Sequence, residues 1–75
     1  MIFTDVLIIG AGPSGLQAAI YSSRSKMRTI VIGKWEFSGL AKTHIENYCC
    51  MDGMQQGAVF LESGVKQAKG FGTDL

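Results

Sequence analysis

The residues of this chain best suited to chemistry are glycines near its amino terminus. Residues 5–15 read Asp-Val-Leu-Ile-Ile-Gly-Ala-Gly-Pro-Ser-Gly, so that Gly10, Gly12 and Gly15 form a Gly-x-Gly-x-x-Gly pattern directly after a run of β-forming residues. Between a strand and a helix, this pattern cradles the diphosphate of a dinucleotide, because backbone N–H groups and the positive end of the helix dipole face the anion. The spacing therefore predicts a dinucleotide site, and the alternative is a strand–helix turn without a ligand.

Each glycine has a separate expected role in such a loop. Gly10 allows the tight turn out of the strand, and Gly12 lets the backbone approach the phosphates without a Cβ in the way. Gly15 lets the helix pack closely against the strand. Pro13 suits the first turn of the helix, where its missing N–H is not needed. The loop and the first helical turn are thus expected to act together as the anion site.

The pattern of apolar residues predicts the elements that position this loop. In chain order they are a strand at residues 4–9, a helix from 13 to about 25, a strand at 29–32, a loop at 34–53, a second helix, and the opening of a third strand at 73–75. The second helix is expected to begin between Asp52 and Gly57, since Asp52 and Gln55 resemble a capping box. It is expected to end at Gly70 or Gly72. Its expected apolar stripe comprises Met54, Ala58, Leu61, Val65 and Ala68.

The fold class that follows is α/β, a partial Rossmann-type βαβ unit with a following helix and the start of a third parallel strand. The apolar run of the first strand does not alternate, which is typical of a parallel strand covered on both faces. Two helices cover such faces poorly, and one edge of the first strand is left without a partner. We therefore expect residues 1–75 to be the amino-terminal part of a larger domain. Completion by a partner chain, including a second copy in a homodimer, and a self-sufficient small protein are the alternatives. The alternative function would then be a stand-alone, non-catalytic nucleotide-binding or assembly module.

Size and composition limit the classes of function. With 75 residues, a hydrophobic fraction of 47% and a net charge of +1, the chain is expected to form at most one small globular domain. The near-neutral balance gives no basic surface for nucleic acid, and no apolar run is long enough to span a membrane. Asp5 interrupts the apolar amino terminus and no basic segment precedes it, so a cleaved signal peptide is not expected. Cys49 and Cys50 form no secreted disulfide framework, so the protein is expected to be cytoplasmic.

The acidic part of the dinucleotide fingerprint is missing or displaced. Such folds commonly carry an Asp or Glu about 20 residues beyond the first glycine, where it binds ribose hydroxyls. Here the end of the second strand falls 33 − 10 = 23 residues on, at Gly33, which has no side chain. Glu36, Lys34 or backbone N–H groups are the alternative ribose contacts. This fingerprint alone leaves both FAD and NAD open.

Four separated stretches carry a family resemblance. They read Asp-Val-Leu-Ile-Ile-Gly-Ala-Gly-Pro-Ser-Gly-Leu-Gln-Ala-Ala-Ile-Tyr at 5–21, Gly-Leu-Ala-Lys-Thr-His-Ile-Glu-Asn-Tyr at 39–48, Gln-Gly at 56–57, and Gln-Ala-Lys-Gly-Phe-Gly-Thr-Asp-Leu at 67–75. In this order they resemble the amino terminus of the thioredoxin reductase family of FAD-dependent pyridine nucleotide–disulfide oxidoreductases. The resemblance covers the whole chain and is more specific than the glycine pattern alone.

The resemblance implies that FAD is the cofactor bound by the first glycine motif, while NAD(P)H binds a second domain further along the chain. In the complete enzyme, hydride would pass from a reduced pyridine nucleotide to the flavin and then to a disulfide or another acceptor. The residues it assigns to FAD are Gly10, Gly12, Pro13, Ser14 and Gly15 around the diphosphate, Gly33, Lys34, Glu36, Gly39 and Leu40 along the adenosine and ribityl portion, and Thr43 and Asn47 towards the flavin.

The sequence also departs from this family. Phe37-Ser38-Gly39-Leu40 replaces a Gly-Gly-Gln segment, and Tyr48-Cys49-Cys50 replaces an aromatic-Pro-Gly segment, which indicates an atypical member. Adjacent cysteines are not the Cys-x-x-Cys of a redox dithiol, so no catalytic residue is expected in this chain. His44 has no ligand partner at metal spacing, so no metal site is expected. Trp35 is expected to pack on the core, with a cover over the adenine as the alternative.

Overall fold

A computed structural model describes residues 3–50 and 53–75 and shows an α/β unit. Its elements are β1 (Val6–Ile9), α1 (Pro13–Arg24), β2 (Thr29–Ile32), β3 (His44–Ile45), β4 (Gln55–Gln56) and α2 (Gly57–Gly70). The predicted βαβ order and the following helix are therefore present. No helix in the described ranges is both long and apolar enough to cross a bilayer.

The main sheet is parallel and carries the start of the predicted third strand. β1 and β2 pair in register, with Val6 opposite Thr29. On the other edge of β2, the Val31 N–H donates to the Asp74 carbonyl oxygen at 2.8 Å, and the Asp74 N–H donates to the Thr29 carbonyl oxygen at 3.0 Å. Within the described residues, the outer edge of β1 has no strand partner, as expected from the sequence.

The first helix, α1, packs on one side of this sheet, and α2 packs against α1. Leu16 and Ile20 of α1 meet Leu61 and Ala68 of α2 in one buried cluster. A second cluster joins α1 to the sheet through Ala11, Ala19 and Val31. Trp35 packs against both clusters, so the expected core position of this ring is correct.

The opposite side of the sheet, which we call the open face, is apolar and exposed. The relative exposure is 53% for Leu7, 75% for Ile9 and 53% for Ile32. These side chains alternate with the half-buried Val6 and Ile8 along β1. The face that α1 covers is therefore the buried one, although the apolar sequence of β1 is typical of a strand covered on both faces.

Buried hydroxyl pairs fix α1 against the strands. The Ser22 and Thr29 hydroxyl oxygens are 2.6 Å apart and connect α1 to β2. The Ser23 and Thr73 hydroxyl oxygens are also 2.6 Å apart and connect α1 to the third strand. Because each buried hydroxyl has a partner, these polar groups do not weaken the core. They set the position of the helix whose amino terminus faces the glycine loop.

The segment after β2 is more regular than the sequence indicated. It contains two short 3₁₀ helices, Trp35–Phe37 and Gly39–Lys42, and β3 pairs with β4 in antiparallel register. The proposed capping box cannot be assessed at Asp52, which lies outside the described residues, and Gln55 belongs to β4. The assignment of Met54 to the helical stripe is wrong: α2 begins only at Gly57, and Met54 is 63% exposed.

Candidate functional site

A cleft lies where the glycine loop meets the end of β2. Its volume is about 280 Å³, near the lower limit for ligand pockets, so it suits part of a dinucleotide. Its walls come from the β1–α1 turn, the end of β2, and the 3₁₀ segment that follows β2. The lining residues are Gly10, Ala11, Gly12, Gly33, Lys34, Phe37 and Ser38.

The missing acid at Gly33 has a steric explanation. Gly33 has φ +140°, a backbone conformation that residues with a side chain rarely adopt. A Cβ built there would lie 3.2 Å from the Ala11 nitrogen and 3.3 Å from the Gly10 Cα. Gly10 itself has φ +113° at the turn out of β1, as its expected role requires. A side chain at Gly33 would therefore require a strained backbone and a small shift of the facing Gly10–Ala11 backbone.

The amino terminus of α1 has hydrogen-bond donors suited to an anion. Gly12 is the N-cap residue, no side chain caps the helix, and the first turn contains no acidic residue. The first N–H groups of a helix have no intrahelical partner, and the helix dipole makes this end positive. The Gly12 backbone adjoins the cleft, so these donors fit a diphosphate group.

The packing around Gly12 and Gly15 tests the roles expected for these two glycines. A Cβ on Gly12 would meet only Ser38 Oγ, at 3.4 Å, which is an ordinary contact. The fold therefore does not itself require glycine at this position, and the free space is on the cleft side. A Cβ on Gly15 would collide with the Gly10 carbonyl oxygen. Gly15 thus acts by letting α1 approach the end of β1, as the sequence predicted.

Some of the sequence-predicted site residues line the cleft and others lie away from it. Gly10, Gly12, Gly33 and Lys34 line the cleft. Glu36 and Asn47 are exposed and lie outside the lining. Gly39, Leu40 and Thr43 belong to the junction with α2, where the Gly57 N–H donates to the Thr43 carbonyl oxygen at 2.8 Å. Contact of all these residues with the cofactor, including those that line the cleft, stays a prediction.

Pro13 and Ser14 occupy the first turn of α1, beside the cleft. Both line a larger groove of about 500 Å³ between α1 and α2, which also includes Tyr48 and Phe60. Their backbone position at the helix amino terminus agrees with the expected diphosphate role. Their exposed side chains adjoin the groove rather than the cleft.

Phe37 and Ser38 line the cleft; they belong to the 33–40 loop expected along the adenosine and ribityl portion, but the sequence analysis named neither as a contact. Phe37 is 84% exposed although it is a large apolar ring. A ring at the rim of a nucleotide cleft offers a stacking surface for a base. The available signal was the replacement of a Gly-Gly-Gln segment by residues 37–40, which the sequence analysis interpreted only as the mark of an atypical family member.

The remaining reactive side chains do not form a further cluster at the cleft. His44 is exposed on β3, and Cys49 and Cys50 are exposed free thiols. In residues 3–50 and 53–75 there is no group of three or more His, Cys, Asp or Glu residues placed to hold a metal ion.

Comparison with known proteins identifies the family. Residues 5–45, more than half of the chain, match the family described as FAD binding domain. Thioredoxin reductase of Rickettsia prowazekii (strain Madrid E) is 42% identical over 76 aligned residues, which cover 99% of this chain and 24% of that protein. Thioredoxin reductase of Aquifex aeolicus (strain VF5) is 44% identical over 73 aligned residues, covering 95% of this chain and 23% of that protein.

Solved structures give the same result. A thioredoxin reductase from Gloeobacter violaceus superposes with a TM-score of 0.90 at 38% identity, over 95% of this chain and 25% of that one. The atypical thioredoxin reductase TRi from Desulfovibrio vulgaris Hildenborough superposes with a TM-score of 0.89 at 38% identity, over 97% of this chain and 24% of that one. The chain thus spans about a quarter of the length of these relatives. It belongs to the FAD-binding domain family and is a thioredoxin reductase-like FAD-binding segment, with FAD as its cofactor.

Proposed function

We propose that this chain binds the adenosine diphosphate end of FAD within a thioredoxin reductase-like oxidoreductase. The observation that carries the proposal is the cleft in which the Gly10–Gly12 turn, the uncapped start of α1 and the Gly33–Lys34 turn meet. Main-chain N–H groups of the helix start would bind the diphosphate. Lys34 adds a positive charge at the same cleft, and Phe37 offers a flat surface for the adenine.

The activity of the whole protein is a second part of this proposal. FAD would supply hydride transfer between a reduced pyridine nucleotide and a disulfide or another acceptor. The residues of this chain contribute binding and orientation. In the described ranges the only thiols are the adjacent Cys49 and Cys50, which lack the Cys-x-x-Cys spacing. We therefore propose that the chain alone does not turn over.

The open face supports a partner for this chain. Leu7, Ile9 and Ile32 expose apolar surface beside the unpaired edge of β1, and exposed apolar faces with free edges invite further pairing. We propose the rest of a longer enzyme as the cover, with a second copy of the chain as the alternative, which light scattering would detect as a doubled mass.

We also propose a cytoplasmic location, which the free, exposed cysteines support.

Titration with cofactor fragments tests the binding proposal. FAD and ADP are expected to compete for one site on the chain, whereas FMN, which lacks the adenosine half, is expected to compete weakly. Flavin fluorescence polarisation measures the FAD complex, with ADP, FMN and NAD⁺ as competitors. Equal competition by FMN and ADP would contradict the proposed orientation, and tighter binding of NAD⁺ than of FAD would favour an NAD-binding function. The same preparation with NADPH and a disulfide is expected to show no turnover above background.

Phe37→Ala is expected to weaken binding of both FAD and ADP about tenfold, because stacking of a base on an aromatic ring contributes roughly 1–3 kcal/mol. Phe37→Tyr keeps the ring and is expected to bind as the unaltered chain does. Tyr21→Ala is the matched control, since Tyr21 is 67% exposed on α1 and lies outside the cleft. An unchanged ADP affinity in the Phe37→Ala protein would show that the ring does not contact adenine.

A further inference from the structure

The paired thiols of Cys49 and Cys50 form a chemical group that the FAD site does not use. Both cysteines are free and exposed, and their Sγ atoms are 3.4 Å apart. Neighbouring side chains of an extended backbone point in opposite directions. Here Cys50 has φ +71°, a left-handed conformation that is uncommon outside glycine. This turn allows the two adjacent thiols to face each other.

Contacts with α2 hold the preceding residue. The Tyr48 ring lies 5.5 Å from the Phe60 ring of α2, with the planes tilted by 56°, an arrangement that aromatic pairs favour. The thiol pair therefore follows directly on an anchored residue. Groups that are positioned before binding lose less conformational entropy when a ligand joins them.

The number of sulfur atoms restricts the class of ligand. Thiolates favour soft metals, but structural zinc sites require four protein ligands. In the described part of the chain, no third His, Cys, Asp or Glu joins the pair in a metal-binding group. A suitable ligand is therefore a soft centre that needs only two sulfur atoms and brings its own third substituent. A trivalent arsenical with one organic group satisfies this condition.

We propose that Cys49 and Cys50 form a bidentate site for trivalent organic arsenicals. The hydrated ligand, RAs(OH)₂, reacts with both thiols: two As–S bonds form and two As–O bonds break. Each departing hydroxyl leaves with a thiol proton as water. Arsenic stays trivalent throughout, so the step requires no oxidant or reductant. The site is separate from the FAD cleft, whose lining contains neither cysteine.

The test is titration of the chain with phenylarsine oxide, with the remaining free thiols counted by a thiol-reactive dye and the adduct weighed by mass spectrometry. One arsenical per chain is expected to protect both thiols. Excess 2-mercaptoethanol is expected to leave the complex intact, whereas 2,3-dimercaptopropanol is expected to remove the arsenical. Because each single variant loses the second, intramolecular bond, Cys49→Ser and Cys50→Ser are each expected to bind roughly 100-fold more weakly.

Two results would overturn the proposal: binding of two arsenicals per chain, or single serine variants that bind as tightly as the unaltered chain. The competition between monothiol and dithiol uses no variant, so it tests the site even if a substitution disturbs the turn. FAD affinity measured in the same samples is expected to stay unchanged. If the unaltered chain bound FAD but did not bind phenylarsine oxide, the result would therefore reject the arsenical site alone and leave the FAD site standing.

Discussion

Replacing Gly12 with aspartate is expected to weaken FAD binding by roughly 100-fold, because one charge-assisted hydrogen bond contributes about 1.5–3 kcal/mol and the new carboxylate adds repulsion. The fold is expected to keep its stability or gain a few tenths of a kcal/mol. Gly12 is the N-cap of α1, with φ −82° and ψ −175°, a conformation that Asp adopts readily at this position. The carboxylate would then occupy the helix N–H groups proposed to bind the diphosphate.

The opposite directions of the two effects make this substitution informative. Thermal unfolding followed by circular dichroism measures the stability, and fluorescence polarisation measures the affinity for FAD. Gly12→Asn is the matched control, since it has similar size and capping ability without the charge, and an intermediate affinity is expected. Gly12→Ala adds a Cβ that meets only Ser38 Oγ at 3.4 Å, so it is expected to fold normally. Unchanged FAD affinity in the Gly12→Asp protein would disprove the diphosphate role of this helix end.

The part of the fold that the sequence predicted well depends on short-range patterns. The strand, glycine turn and helix at the amino terminus follow from β-forming residues, Pro13 at the first helical position, and apolar residues at helical spacing. The observed β2 bounds are those predicted, and α1 differs by one residue at its end. The family resemblance was spread over the whole chain, and the comparisons confirmed it.

The segment after β2 could not be predicted because distant parts of the chain determine its shape. Trp35 and Phe37 are both aromatic and lie two positions apart, yet one ring packs on the core while the other is exposed at the cleft. Their sequence does not distinguish them, since the difference depends on where α1 and α2 lie. Similarly, Gly33 suggested a lost ribose contact, whereas the structure shows that its positive φ and its close approach to Ala11 disfavour a side chain there.

The junction between this segment and α2 contains the glycine whose replacement is expected to affect stability most. A Cβ on Gly57 would overlap the Leu40 carbonyl oxygen and lie 3.1 Å from the Thr43 carbonyl oxygen. Both neighbours are backbone atoms, so no change of rotamer relieves the collision. Moreover, the Gly57 N–H donates to that Thr43 oxygen at 2.8 Å, and a shift of α2 would lengthen this hydrogen bond.

Gly57→Ala is therefore expected to destabilise the fold by about 3 kcal/mol, the upper end of the usual cost of overpacking, and to lower the melting temperature by roughly 15 °C. Gly70→Ala, at the other end of α2, is the matched control because a Cβ there meets nothing within 4 Å. Because alanine has a higher helix propensity than glycine, Gly70→Ala is expected to leave the stability of the fold unchanged or to raise it. Thermal unfolding of both variants measures the difference. Equal melting temperatures would mean that α2 can move away from Leu40 at no cost, and would contradict the close packing of this junction.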